Sequence, residues 1–169
     1  MIQLVKKAQK GDGSAFLELF QQYEVEIYRM AFLYVKNKED ALDVVQEVAY
    51  QSFSKIKTLK KPEYFKTWLI KIVINCSLQL LNKKKKVIQL TPEFDEFMGS
   101  SDEDLPLTLS LKDVINTLME EEKTVLLLRF YHGYTFKEIS EMLDIPLGTA
   151  KTVLYRSLEK LRKEFKEVK

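Results

Sequence analysis

Residues Thr135–Phe165 read TFKEISEMLDIPLGTAKTVLYRSLEKLRKEF, and the rest of the chain is understood from this stretch. Thr135 followed by Glu138 is a capping-box pattern, in which two side chains satisfy the free amides that open a helix. Ile139, Met142 and Leu143 then recur at helical spacing. Asp144-Ile145-Pro146 interrupts the period, because Pro146 cannot continue a helix, although it suits the first turn of a new one. Beyond it Ala150, Val153, Leu154, Leu158, Leu161 and Phe165 form one apolar stripe. Lys151, Thr152, Tyr155 and Arg156 fall on or beside the opposite face, near the start of that second helix. Helix, tight turn and basic second helix make the helix-turn-helix pattern, whose second helix enters the DNA major groove by its N-terminal end. A plain helical hairpin with solubilising charges has the same outline, so the remaining chain has to decide.

Five Gly and four Pro in 169 residues favour long helices, and 46% hydrophobic residues are ample for a core. The lone Cys76 excludes an internal disulfide; on an apolar stripe it reads as a buried small hydrophobe. No metal-ligand cluster is present, so neither a metal nor a cofactor is expected. The N-terminal MIQLVKKAQKGDG lacks the apolar core of a signal peptide, and the apolar runs are too short to cross a membrane. A cytoplasmic protein is the expectation. The net charge of +2 hides a segregation: residues 1–86 carry a net +7, residues 87–110 a net −6 and residues 111–169 a net +1. Basic end segments flanking an acidic middle point to separate partners for each.

Ile2 to Lys10 allows a short helix, stopped by Gly11-Asp12-Gly13. Ser14 is a suitable N-cap for a single helix running to about Val35, through Phe16, Phe20, Tyr23, Ile27, Met30 and Tyr34. A third helix is expected over Lys38–Lys57, with Ala41, Leu42, Val45, Val48, Ala49, Ser52, Phe53 and Ile56 on its apolar side. Asp40, Asp43, Gln46 and Glu47 share its polar surface. After Pro62 a fourth helix carries Phe65, Trp68, Leu69, Ile72, Val73, Cys76 and Leu80, ending in Lys83-Lys84-Lys85-Lys86. Four such helices can close a bundle. Residues 87–108 lose all periodicity and carry only acidic charge, as a flexible linker does. Helical patterning resumes at Leu111, Val114, Ile115 and Leu118, then at Val125, Leu126, Leu128 and Arg129. No stretch alternates with period two, so no sheet is expected. The expected architecture is all-α: a helical domain over 1–86, a flexible acidic linker over 87–108, and a helix-turn-helix domain over 109–169.

Catalysis finds no foothold. The one histidine, His132, precedes Gly133 in a turn, where it reads as a capping or surface residue rather than as the base of a Ser-His-Asp set. Neither GxxxxGK[ST] nor GxGxxG occurs. No small-molecule substrate is expected.

Three stretches together, KNKEDALDVVQEVAYQSF (36–53), FKTWLIKIVINCSLQLLNKKKK (65–86) and GYTFKEISEMLDIPLGTAKTVLYRSLEKLRK (133–163), strongly resemble a bacterial RNA polymerase sigma factor. The type is the small extracytoplasmic-function group of the sigma-70 family, which keeps only the second and fourth sigma domains. The resemblance spans nearly the whole chain. It implies that residues 1–86 are a region 2-like domain and residues 109–169 a region 4-like domain. It also implies core RNA polymerase as partner, through the clamp of the largest subunit and the flap of the second-largest, together with promoter DNA. An anti-sigma factor, usually membrane-anchored, would hold such a protein inactive at the inner face of the membrane until an envelope signal releases it.

The resemblance also implies residue roles. Asp40, Asp43, Gln46 and Glu47 would face the polymerase clamp, giving register and electrostatic complementarity. Leu59–Asn75 matches the reader of the minus-ten element, where Leu59, Lys66, Lys71 and Asn75 would contact DNA and Lys83 and Lys84 would bind phosphate. Tyr64, Phe65 and Trp68 supply aromatic surface there, although Phe65 and Trp68 also lie on the apolar stripe. Thr149, Lys151, Thr152, Tyr155 and Arg156 would contact the minus-thirty-five element, Arg and Lys through guanine edges. Val153 stands where relatives often carry arginine. The acidic linker either threads the polymerase near the RNA exit path or is a solubilising spacer. A dimeric helix-turn-helix regulator and a helical adaptor are the competing readings; the first binds duplex DNA without polymerase, the second binds neither.

Overall fold

The computed structural model describes residues 1–90, 115 and 117–167, with side chains described to Lys86 and from there on between Ile115 and Glu164. The linker residues from 91 onward, and the helical patterning expected at Leu111 and Val114, lie outside the described residues. The chain divides into two compact units, residues 1–99 and 100–169. Among the described residues every regular element is helical, as expected.

The first unit holds α1 (Ile2–Gln9), α2 (Gly13–Gln21), α3 (Glu24–Val35), α4 (Lys38–Lys55) and α5 (Phe65–Leu90). α3, α4 and α5 pack against one another, and α1 lies along α2. Ile27, Met30, Ala31, Val44, Val48, Leu69, Val73 and Ile74 fill the core, with Tyr34 and Phe65 as its largest buried side chains. At these burials each large side chain contributes on the order of 1.5–3 kcal/mol. Between α4 and α5 the chain turns through two single-turn 3-10 helices, Ile56–Thr58 and Pro62–Tyr64. Gln9 Nε2 donates to the carbonyls of Ile56 and Leu59, at 3.1 and 2.7 Å, and so ties α1 to that connection.

Several sequence expectations are corrected. The helix expected from Ser14 to Val35 is two helices, broken at Gln22-Tyr23, where no Gly or Pro marks a stop. The break places the Tyr23 ring 5.8 Å from that of Phe65. The cap of α2 is Asp12, whose carboxylate accepts from the Ala15 N–H at 3.0 Å, and not Ser14. α5 runs on to Leu90, four residues past the lysine run. Leu42 and Phe53, expected on the apolar side of α4, are 53% and 48% exposed.

The second unit is smaller: α6 (Glu120–Leu126), a π-turn at Leu127–Tyr131, α7 (Phe136–Leu143) and α8 (Leu147–Glu167). α8 packs on both α6 and α7. Val125, Leu128, Ile139, Met142, Ala150, Val153 and Leu154 form its core. The π-turn adds one residue to the helical register, as the His132 N–H to Leu127 carbonyl bond of 3.1 Å shows. Gly133, at φ +73°, then takes the left-handed conformation that lets the chain leave the turn.

Lys36 also sits in the left-handed region, at φ +65°, where it ends α3 with its N–H bonded to the Phe32 carbonyl at 2.9 Å. A β-carbon there is strained by about 1–2 kcal/mol, and glycine recovers part of this against its greater unfolded-chain freedom. Lys36→Gly is therefore expected to stabilise the first unit by about 0.5–1 kcal/mol. Urea unfolding followed by the fluorescence of Trp68, the single tryptophan, checks it.

Candidate nucleic-acid interface

The turn between α7 and α8 is fixed at both ends. Thr135 Oγ1 accepts from the Glu138 N–H at 3.2 Å while a Glu138 carboxylate oxygen accepts from the Thr135 N–H at 2.8 Å, the reciprocal cap the sequence announced. α7 ends on Asp144 at φ +56°, and Ser140 Oγ donates to the Ile145 carbonyl at 2.6 Å. Pro146 follows, and its carbonyl accepts from Ala150 N–H, so α8 starts where proline permits.

This start gives α8 two faces. Ala150, Val153, Leu154 and Ser157 are buried, whereas Thr149, Lys151, Thr152, Tyr155 and Arg156 are all exposed. Val153, the position where the resemblance would put an arginine, belongs to the core side. Thr152 Oγ1 donates to the Gly148 carbonyl at 2.9 Å, which leaves its methyl group as the part offered outward. Lys151 Nζ stands 5.9 Å from the centre of the Phe136 ring, and the Arg129 guanidinium 5.2 Å from the same ring. Arg129 is itself held by donating to the Tyr134 carbonyl at 3.0 Å.

Beneath this surface lies a carboxylate that the sequence did not single out. Glu122 has no exposed surface. It accepts from Arg156 Nε at 3.0 Å, from Lys160 Nζ at 2.8 and 2.9 Å, and from the Met119 N–H at 3.1 Å. Burial pushes its pKa up, but the Lys160 hydrogen bond, the Met119 amide and the charges of Lys160 and Arg156 outweigh that and hold it below the 4.5 of a free glutamate. Its position, third in α6, resembles that of Glu138 in α7; the cap on α6 was hidden because Met119 is not a capping residue type.

In the first unit, Lys71 and Asn75 are exposed and one turn apart on α5, so they share a face. Tyr64 is 53% exposed beside Lys61, while Phe65 is fully buried and Trp68 is half-buried against it. Leu59 does not present a surface contact: it is buried, and its carbonyl is taken by Gln9. Lys66 pairs with Glu26 of α3 at 3.0 Å. The lysine run splits around the helix. At about 3.6 residues per turn Lys84 lies on the opposite side of α5 from Asn75, and it bonds Asp40 of α4.

That contact corrects the expectation for Asp40, which is buried rather than displayed with Asp43, Gln46 and Glu47. Burial raises its pKa, and the Asn37 amide and then Lys84 more than offset this, holding it below the 3.8 of a free aspartate. Asn37 also caps α4, its side-chain oxygen accepting from the Asp40 N–H at 2.8 Å. Asp43, Gln46 and Glu47 are exposed, and on the same arc of α4 stand the exposed Leu42, Tyr50 and Phe53. Their i, i+4 spacing was the available signal, masked by counting Leu42 and Phe53 as core. Cys76 is buried, and burial pushes its thiol up to about 11, which leaves it unreactive.

Residues 19–87 match the family described as Sigma-70 region 2, and residues 114–163 match Sigma-70, region 4. The chain is 36% identical to RNA polymerase sigma factor SigV of Bacillus subtilis (strain 168) over 140 residues, 83% of this chain and 84% of that one. The chain belongs to the extracytoplasmic-function sigma factors of the sigma-70 family. It is also 28% identical to ECF RNA polymerase sigma factor SigW of the same organism, over 97% of this chain and 96% of that one. Two solved structures share its fold. One is the sigma factor RpoE in complex with the anti-sigma factor NepR from Bartonella quintana, with TM-score 0.74 and 17% identity over 89% of this chain and 96% of that one. The other is CnrH in complex with the cytosolic domain of CnrY, with TM-score 0.71 and 18% identity over 98% and 97%.

This sigma factor is thus a specificity factor of transcription initiation, binding core RNA polymerase and promoter DNA, and is not an enzyme. Among its described residues no three His, Cys, Asp or Glu side chains are grouped to hold a metal ion, and no helix is long and apolar enough to cross a membrane.

Glu122 and Glu138 both titrate below a free glutamate in the folded sigma factor. The stability they contribute is complete above the unfolded value of about 4.5 and is lost as pH falls through the folded values. Glu122→Gln is therefore expected to destabilise the chain clearly near neutral pH and much less at an acid pH below the folded value, where the carboxyl is protonated in both states. Urea unfolding by circular dichroism at both pH values measures the difference; a penalty independent of pH would contradict it.

Proposed function

We propose that the two units divide the work of promoter recognition as the resemblance implies, residues 1–86 serving polymerase and the minus-ten element and residues 109–169 the minus-thirty-five element. The observation that carries this reading is the sorting of α8. Its first turns expose Thr149, Lys151, Thr152, Tyr155 and Arg156 and bury the residues between them. A helix so sorted enters a major groove with cations and a methyl group facing base edges and phosphates. In the first unit Asn75 and Lys71 supply an amide for a base edge and a charge for the backbone. Lys83 adds phosphate attraction, whereas Lys84 and Lys66 reach DNA only by leaving their carboxylate partners. Asp43, Gln46 and Glu47, with Leu42 and Tyr50 beside them, form the polymerase face of α4; Asp40 supports it from below.

Regulation follows the same reading. An anti-sigma factor holds the chain inactive, anchored at the inner face of the cytoplasmic membrane, and an envelope signal releases it to a stress regulon. Two proteins of this fold were solved with bound partners, one an anti-sigma factor and the other a cytosolic domain, and both facts support it.

Mixing the purified chain with bacterial core RNA polymerase on a sizing column tests the central claim. A stoichiometric complex that transcribes from a promoter is the expected result. A chain that stays apart from core and binds duplex DNA as a dimer would favour the regulator reading. Asn75→Ala is expected to co-elute with core as the parent does, yet to lower open-complex formation by roughly 5- to 150-fold, the worth of about 1–3 kcal/mol for a base contact. Permanganate reactivity of the bubble thymines reads this, and reactivity equal to the parent's would remove Asn75 from the site.

A further inference from the structure

We propose that Glu122 is a positioning residue for promoter recognition: from inside the C-terminal unit its carboxylate fixes the Arg156 guanidinium so that its terminal nitrogens meet one base edge. The inference rests on the reading of Arg156 as a minus-thirty-five contact and adds how that contact is aimed.

Glu122 belongs to α6 and Arg156 to α8, so their bond is made only when the unit is folded. The Glu122 side chain is wholly buried, while that of Arg156 is 51% exposed, so the arginine runs from core to surface. Among the described residues only Nε of Arg156 is engaged, at 3.0 Å. A guanidinium carries five N–H donors in a rigid plane, and a bidentate pair with guanine O6 and N7 uses two of them. Holding the plane by Nε therefore leaves the terminal fork complete while removing its freedom to rotate. A long side chain otherwise loses that freedom on docking, which weakens binding.

Charge balance alone does not account for the arrangement. Lys160, one turn along α8, already reaches both carboxylate oxygens of Glu122, at 2.8 and 2.9 Å. Arg156 is thus held in addition to a neutralising partner. Orientation matters for reading a base edge and little for a phosphate, which any nearby cation satisfies. The geometry accordingly assigns Glu122 a part in specificity and not in general DNA affinity.

The test uses holoenzyme reconstituted from core polymerase and the full chain, in single-round run-off transcription. The templates carry each base-pair substitution of the minus-thirty-five element in turn. Arg156→Ala is expected to flatten the preference at one base pair by about tenfold. Glu122→Gln should flatten the preference at that same base pair, leave the others unchanged, and add nothing to Arg156→Ala in the double variant. A uniform loss over all templates that adds to Arg156→Ala would reduce Glu122 to a structural role and overturn the proposal. Because Glu122→Gln weakens the fold, a second pair is needed: Lys160→Met, and Lys160→Met combined with Glu122→Met. Of the pair only Glu122 is buried, and exchanging a buried charge together with its partner for apolar groups of similar volume is commonly tolerated. Lys160→Met should keep the base preference and the double variant should lose it; retention in both overturns the proposal. If Arg156→Ala alters no base preference, the reading of Arg156 itself fails. A change with Arg156→Ala but none with Glu122→Gln defeats only the positioning.

Discussion

A carboxylate without exposed surface must have its charge met inside the fold, and among the described residues of the C-terminal unit that group is Glu122. Removing one partner from such a group leaves a buried charge uncompensated, which is among the larger penalties a fold can meet. Arg156, Lys160 and the Met119 amide all converge on it. Those bonds fix where α6 begins and how α8 is rotated about its own axis. With the rotation set, Ala150, Val153 and Leu154 face inward and the basic residues between them face out. The exposed basic face of α8 is therefore a consequence of an interior ion cluster as much as of an amphipathic pattern.

A related device operates in the first unit. Asp40 sits in the first turn of α4, held by the capping Asn37 and by Lys84 from the far part of α5. Partial burial of the carboxylate strengthens both contacts over what an exposed pair would give. The bond joins α4, which carries the proposed polymerase face, to α5, which carries Asn75. It also divides four consecutive lysines that composition alone treats as one patch. Lys84 serves the fold, while Lys83 beside it is exposed on another side of α5.

Much of this protein was legible locally. The capping box at Thr135 and Glu138, the stop at Asp144, the start after Pro146 and the stripe through Leu154 all rest on interactions within one or two helical turns. The same holds for most helix bounds, and the three quoted stretches carried the family. The break at Gln22-Tyr23 and the π-turn at Leu127–Tyr131 were not legible. Neither has a glycine or proline at its centre: at the first the Tyr23 and Phe65 rings meet 5.8 Å apart, and at the second the His132 N–H bonds the Leu127 carbonyl.

The sequence by itself determined an all-helical chain, the helix-turn-helix, and the residue types offered to polymerase and DNA, because these depend on periodicity and on neighbours three or four positions away. Tertiary structure alone decided which of those residues are free to act. Leu59 is taken into the core, Asp40 is joined to Lys84 across 44 positions, and Arg156 is fastened to Glu122 across 34. Bonds between helices so far apart in the chain leave no periodic trace, since their geometry is set only when the helices pack.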